Sequence, residues 1–270
     1  SGLSIAASTC TISGTSSAIS AAANYTITAT SFGGATGSTQ FSLTINDIPP
    51  SLSYTQSPVT LTLNQALGSA ISPTNSGGAI ISCSVSPALP TGLSLNTSSC
   101  AITGTPTQIT AANNYTVTAT NSGGSVNATI RITVNDRAPI IAYTPSSVTG
   151  TLGSLLNISA PSNTGGSITG CSSSPALPAG LTLSTSTCSI SGTPMLLSSG
   201  SYTITASNTG GTGSTSLTIT INDVPPVITF DPSSFTLTKD LTEIDTAPSN
   251  TGGEITSCTI SPTLPSGMLF

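Results

Sequence analysis

The chain has 270 residues, of which 36% are apolar and 4% charged; the only basic residues are Arg131, Arg137 and Lys239, and the net charge is −5. Three cations cannot neutralise a run of phosphates, which excludes nucleic acid as a partner, and an ordinary cytosolic domain would carry roughly 25% charged residues. A polar surface of Ser, Thr, Asn and Gly suits a secreted or cell-surface protein; no apolar stretch approaches the roughly 20 residues of a membrane span, and no basic-then-apolar leader opens the chain, so a mature form or a part of something longer is expected.

The elements recur in order. "NYTITAT" at Asn24 returns as "NYTVTAT" at Asn114 and "SYTITAS" at Ser201, and "TIND" ending at Asp47 returns at Asp136 and Asp223. Cys10, Cys100 and Cys188 stand 90 and 88 residues apart, and Cys83, Cys171 and Cys258 stand 88 and 87 apart, so the period is about 88. Pro49, Pro139 and Pro225 stop a ladder after each "ND". The organisation read from this is the C-terminal half of a repeat at 1–47, complete repeats at 48–136 and 137–223, and the N-terminal half of a repeat at 224–270.

Within a repeat, Tyr115, Val117 and Ala119 alternate with Thr116, Thr118 and Thr120, and Ile130, Ile132 and Val134 alternate with Arg131 and Thr133. A period of two is a half-buried strand, and no segment shows a helical period. The fold class is therefore all-β: tandem immunoglobulin-like antiparallel β-sandwiches in a linear array. The motif "SNTGG" at Ser162, Ser207 and Ser249, with "TNSGG" at Thr74 and Thr120 and "SFGG" at Ser31, reads as two hairpin-type corners per repeat whose Asn and Gly supply positive φ. A phosphate-cradling loop would open a helix and bring a Lys, and neither is present.

Cys83 and Cys100 lie 17 residues apart, as do Cys171 and Cys188, which reads as one disulfide inside each complete repeat. Each closed loop would contribute roughly 3 kcal/mol in the chain-entropy model. Zinc would require close Cys pairs or His, and the chain has neither. Cys10 and Cys258 are left over, their expected partners falling outside the segment. Two explanations stay open: a window of a longer covalent array, or a C-terminal half completed by the next subunit's N-terminal half with a Cys258–Cys10 bridge. Both give a linear assembly, by covalent continuation or by self-association.

Without His, the usual Ser-His-Asp arrangement is excluded, and no pair of carboxylates recurs in the complete repeats, so neither enzymatic activity nor a cofactor is expected. Asp47, Asp136 and Asp223 are weak calcium candidates: each junction offers little beyond one Asp, an Asn and carbonyls, where calcium takes six to eight oxygens. A strand-end turn is the preferred role for these residues. Asp240, Glu243 and Asp245 form an acidic cluster that does not recur. Tyr25, Tyr115 and Tyr202 read as core anchors whose hydroxyls bond a corner, in preference to sugar-stacking platforms. Asn24, Asn96, Asn114, Asn127 and Asn157 match the glycosylation acceptor pattern, as chance alone gives in so Ser- and Thr-rich a chain.

The motifs "LPTGLSL" and "LPAGLTL", "ITGTP" at Ile102 and "ISGTP" at Ile190, the Tyr strand with its "TNSGG" corner, and "TVND" before proline cover essentially the whole chain. As a set they resemble the immunoglobulin-like repeats, related to cadherin-like and dystroglycan-type modules, found in tandem in large bacterial surface proteins. The resemblance implies secretion, multi-domain stalks and adhesive or structural roles; the cysteine pair is an addition to that pattern. The expected function is a non-enzymatic extracellular fibre, filament or stalk on a bacterial surface. The alternative is an adhesin for a carbohydrate or protein receptor, with weak calcium sites at its junctions.

Overall fold

Alternating hydroxyl and β-branched residues build strands throughout the computed structural model, which describes residues 2–240 and 244–268, and none of the described residues is helical. The chain divides into two compact units, Ser1–Asp136 and Arg137–Phe270.

In the first unit the complete repeat is organised around a long hairpin, Thr110–Asn121 against Gly124–Asn135, closed by a turn in which Asn121 faces Gly124. Ser82–Ser86 adds antiparallel to the outer edge of Thr110–Asn121, and Val59–Thr62 adds to the other edge of the hairpin. That last pair is parallel, which the alternation of residues cannot reveal because a strand's face pattern is the same in either direction. Leu93–Leu95 pairs with Ile102–Gly104, and Leu52–Ser53 with Thr74–Asn75, as two small separate sheets. Val117, Ile130, Ile132, Val134 and Ile102 are fully buried between the layers, as the period-two pattern requires.

The complete repeat of the second unit copies this plan. Ser198–Asn208 and Gly211–Asn222 form the central hairpin, flanked by Gly170–Ser174 and, in parallel, by Ser147–Thr151. Leu156–Ile158, Ile190–Gly192 and Leu181–Leu183 make the second sheet, and Ile190, Ile204, Leu217 and Ile219 seal the core.

The half repeats contain complementary parts of that plan. The first unit opens with the small hairpin Leu3–Ile5 with Ile12–Gly14 and the long hairpin Ser20–Thr30 with Thr36–Ile45. The second unit ends with Ile228–Thr229 paired to Ser249–Asn250.

One expectation is corrected. Only one of the two glycine corners in a complete repeat is a hairpin; the other, at Thr74–Gly78 and Ser162–Gly166, leaves the short pair Leu52–Ser53 with Thr74–Asn75, or Ile141–Ala142 with Ser162–Asn163, and carries the chain to the other sheet.

Candidate functional site

The glycine corners surround the places where one repeat runs into the next. In the first unit the segment Asp47 to Pro50 lies across both corners of the complete repeat. A Cβ added to Gly77 would stand 2.2 Å from the Pro49 carbonyl oxygen, one on Gly78 2.1 Å from that of Ile48, and one on Gly123 2.0 Å from that of Asp47. No side chain fits at such distances, so these glycines serve the close approach of two backbones. The expected positive φ is found at only three corner glycines, Gly34, Gly124 and Gly211. The sequence shows that a glycine is required but not which of its two properties is used.

Hydrogen bonds fix this contact. The Asp47 carboxylate accepts from the Ile48 N–H at 2.9 Å and the Ala79 N–H at 3.1 Å, and the Asp47 N–H donates to Ser122 Oγ at 3.0 Å. The Asn121 amide donates to the Ile48 carbonyl at 2.7 Å, and Asn75 Oδ1 accepts the Ser51 N–H at 2.9 Å. The second unit repeats the arrangement: the Asn208 amide donates to the Arg137 carbonyl at 2.6 Å, and Asn163 Oδ1 accepts the Ile140 N–H at 3.1 Å. At the last junction Asn250 Oδ1 accepts the Val227 N–H at 3.1 Å, and Asp223 Oδ1 accepts the Val224 N–H at 2.8 Å.

Asp47 thus points its oxygens at N–H donors, the environment of a strand-end acceptor. Asp136 is buried and Asp223 caps its own turn. Among the described residues no three His, Cys, Asp or Glu side chains gather as a metal site would require. Asp240 makes an exposed ion pair with Lys239 at 3.9 Å, and Glu243 of the acidic cluster lies outside the described residues.

The cysteines occupy a second recurrent site. Cys83 is joined to Cys100 with Cα atoms 5.4 Å apart, and Cys171 to Cys188 with Cα atoms 5.5 Å apart. Cys100 and Cys188 each have φ of 57°, a left-handed conformation unusual for a side-chain-bearing residue. A short loop imposes it: the Cys100 N–H donates to the Asn96 carbonyl at 2.9 Å and the Asn96 N–H to the Ala101 carbonyl at 2.8 Å. The Asn96 side chain caps the same loop by accepting the Ser98 and Ser99 N–H groups, a structural use of a glycosylation-like motif.

The phenol that closes onto this loop belongs to Tyr54, which donates to the Cys100 carbonyl, and in the second unit to Tyr143, which donates to the Cys188 carbonyl. Neither residue is singled out in the sequence; the Tyr-strand residues Tyr115 and Tyr202 are buried anchors of the core. Burial pushes the Tyr54 and Tyr143 phenols up to about 12. Both residues lie in the N-terminal half of their repeat and the loop lies in the C-terminal half. Disulfide and phenol therefore tie the same two halves together.

Cys10 is half-buried and Cys258 exposed, and both are free thiols. Ile12, at the position of the fully buried Ile102 and Ile190, is 40% exposed, and Tyr25 is 44% exposed where Tyr115 and Tyr202 are 2% and 7%. An open groove of about 530 Å³ runs over Ile12, Tyr25, Ile27, Phe41 and Leu43. One of about 580 Å³ runs over Ile228, Phe230, Phe235, Ile255 and Cys258.

No curated protein matches the chain. Solved structures with a similar fold include three immunoglobulin domains of titin, as an E-to-A mutated variant, at 16% identity and TM-score 0.43, covering 75% of this chain and 74% of that one. Drosophila OTK extracellular domains 3–5 match at 15% identity and TM-score 0.40, covering 82% and 78%. Human Protocadherin-24 EC1-2 matches at 14% identity and TM-score 0.33, covering 66% and 100%. One family model matches three successive segments, residues 1–46, 48–135 and 138–222, and by this match the chain belongs to the family described as Putative Ig domain.

Proposed function

We propose that this chain is a load-bearing segment of an extracellular fibre or stalk on a bacterial surface, with no catalytic role. Tandem immunoglobulin-like domains with internal disulfides fit an extracellular structural or adhesive part. The observation that carries the structural reading is the way each complete repeat is strung. Val59–Thr62, near its start, runs parallel to the end of the last strand, with Val59 opposite Ile132 and Thr62 opposite Asn135. Tension applied at the two ends of the repeat shears that ladder, so its hydrogen bonds resist together. The pair Ser147–Thr151 with Gly211–Asn222 does the same in the second unit. Once a repeat opens, its disulfide withholds from extension the loop between two cysteines 17 positions apart.

Single-molecule stretching of the 270-residue chain tests this. Two force peaks are expected, one per complete repeat, and reductant should lengthen each release by roughly 6 nm, at about 3.5 Å per freed residue. Featureless extension would reject the load-bearing role.

A second reading, an adhesin for a carbohydrate or protein receptor, rests on one break in the pattern. Met195, Leu196 and Leu197 are all exposed in the loop that begins "TQI" at Thr107 in the preceding repeat. Receptor binding abolished by Leu196→Ser, with the force peaks unchanged, would favour adhesion. Calcium at the junctions would show as heat on titration that Asp47→Asn removes.

A further inference from the structure

We propose that the first complete repeat has a binding cleft along the outer edge of Val59–Thr62, and that the cleft takes an extended, uncharged peptide segment, which adds to that edge as a further strand. The edge concerned is the one opposite the load-bearing ladder, and the exposed loop at Met195 belongs to the other complete repeat.

The two complete repeats are close copies, so the places where they part carry information. Val59–Thr62 and Ser147–Thr151 hold the same position, with Leu61 opposite Val134 and Gly150 opposite Ile221. In the second repeat the side chain of Leu156 lies over Gly150, where an added Cβ would stand 3.0 Å from Leu156 Cδ2, and it closes the gap between the two sheets. In the first repeat Leu61 stands in place of that glycine, and the strand that would face it is interrupted. The Leu67 N–H still donates to the Gly104 carbonyl at 3.1 Å and Ile71 still pairs with Ile102, as Leu156 pairs with Gly192 and Ile158 with Ile190. Between those anchors the first repeat has Gly68, Ser69 and Ala70, all exposed, where the second has Asn157 alone. A cleft of about 460 Å³ opens there.

Further differences gather on the same opening. Asn64 and Gly153 hold one place, each with positive φ and each donating its N–H to the carbonyl of Pro106 or Pro194. The residue that follows is Gln65 in the first repeat and Ser154 in the second, and the residue two past the loop-bonding tyrosine is Gln56 in the first and Pro145 in the second. Gln56 and Gln65 both line the cleft, whose floor is Leu61, Leu67 and Ile71 of the core cluster. A repeat that otherwise follows its copy thus departs from it where the residues face one cavity.

The main chain at the cleft determines the class of ligand. Val59–Thr62 is the end strand of its sheet. Leu63 gives its N–H to the Asn135 carbonyl at 2.8 Å, so by the alternation of a strand the main-chain groups of Thr60 and Thr62 point away from the hairpin. The Thr62 carbonyl accepts the Gln65 N–H at 3.2 Å, which leaves the N–H and carbonyl of Thr60 facing outward. An extended peptide pairs with both, sending alternate side chains over Leu61 and Leu67 and the others to solvent. None of the residues lining the cleft is charged and none is aromatic. A charged side chain would lose hydration there without a counter-charge, and a sugar ring would find no face to stack on. The Gln56 and Gln65 amides can each donate and accept, as the amides and hydroxyls of an uncharged peptide require.

The test titrates the isotope-labelled 270-residue chain with the acetylated, amidated pentapeptide Ser-Thr-Val-Thr-Ser and follows backbone amides by NMR. The amides of Thr60, Gln65 and Ser69 should shift in a saturable way, while those of Thr149 and Ser154, at the matching edge of the second repeat, stay in place. The same peptide with Asp in place of Val should bind at least about ten-fold more weakly. Thr60→Pro removes the outward N–H without taking a bond from the ladder, and should weaken binding about five- to ten-fold. Gln65→Ala, at an exposed position where folding is insensitive to the change, should weaken it several-fold. No saturable shift, equal shifts at Thr149, affinity unchanged in both variants, or shifts at the cleft with cellobiose and none with the peptide would each overturn the proposal.

Discussion

Ile102 and Ile190 are sealed in complete repeats, while Ile12 occupies the matching place in a half repeat and is open to solvent. The small hairpin that carries it is nevertheless the same: Leu3–Ile5 pairs with Ile12–Gly14 as Leu93–Leu95 pairs with Ile102–Gly104. Gly2 and Gly14 keep positive φ just as Gly92 and Gly104 do. Hairpins and the cysteine loop are thus local products of the sequence, formed with or without the rest of the domain. Burial is not local, nor is the strand around Cys258, which requires a neighbour to pair with.

The largest effects should follow that division. Ile102→Ala empties a fully buried site and is expected to cost about 2–5 kcal/mol in denaturant unfolding of the first unit. Ile12→Ala removes the same atoms from a solvated face and should stay within about 0.5 kcal/mol in the dilute, reduced monomer. If the two substitutions cost the same, the half repeat has a cover of its own in the monomer and the contrast between the regions is wrong.

The disulfide sharpens the contrast next. Replacing Cys83 and Cys100 together by Ser should cost roughly 3 kcal/mol, and reductant should lower the unfolding midpoint of the wild-type chain by the same mechanism. Cys10→Ser should leave that midpoint in place, because the Cys10 thiol is free in the monomer. A Cys10→Ser chain as unstable as the reduced wild type would mean that the cysteine loops contribute through their own geometry and not through the cross-link.

The junction gives a third, smaller test. A Cβ at Gly123 meets the Asp47 carbonyl oxygen at 2.0 Å, whereas the matching Gly33 has no atom near it within 4 Å. Gly123→Ala should therefore cost about 1–3 kcal/mol as the two backbones are forced apart, and protection of the Ala79 N–H from exchange should fall with it. Gly33→Ala should be neutral within about 0.5 kcal/mol.

The glycines also show where sequence reading stops. The repeat period, the strands and the pairing partners of Cys83 and Cys171 were all legible, because alternation and spacing are written along the chain. The corners were legible as turns, but their role was not: Gly77 and Gly78 answer to Ile48 and Pro49, some 29 residues away, and contact at that range leaves no periodic mark. Tyr54 was missed for a related reason. Its use lies in reaching the carbonyl of Cys100, 46 residues on, and a Tyr just past the short strand Leu52–Ser53 carries no sign of that partner. The parallel pairing of Val59–Thr62 was hidden because direction does not alter which residues face inward.

Tyr54 also supplies the smallest and most specific of these tests. Tyr54→Phe should cost about 1 kcal/mol, the net worth of one hydrogen bond, rising toward 3 kcal/mol if the Cys100 carbonyl is left dry. Alkaline unfolding separates the hydroxyl's contribution from that of the ring. With both buried phenols at about 12 in the folded chain and near 10 when unfolded, the unfolded state loses its protons first and binds fewer of them between those values. Their contribution is then constant below pH 10 and is lost as pH rises toward 12. The double variant Tyr54→Phe, Tyr143→Phe should flatten that decline even though it starts from a lower stability. An unchanged slope would mean that the two phenols titrate freely in the folded chain and that burial does not hold them protonated.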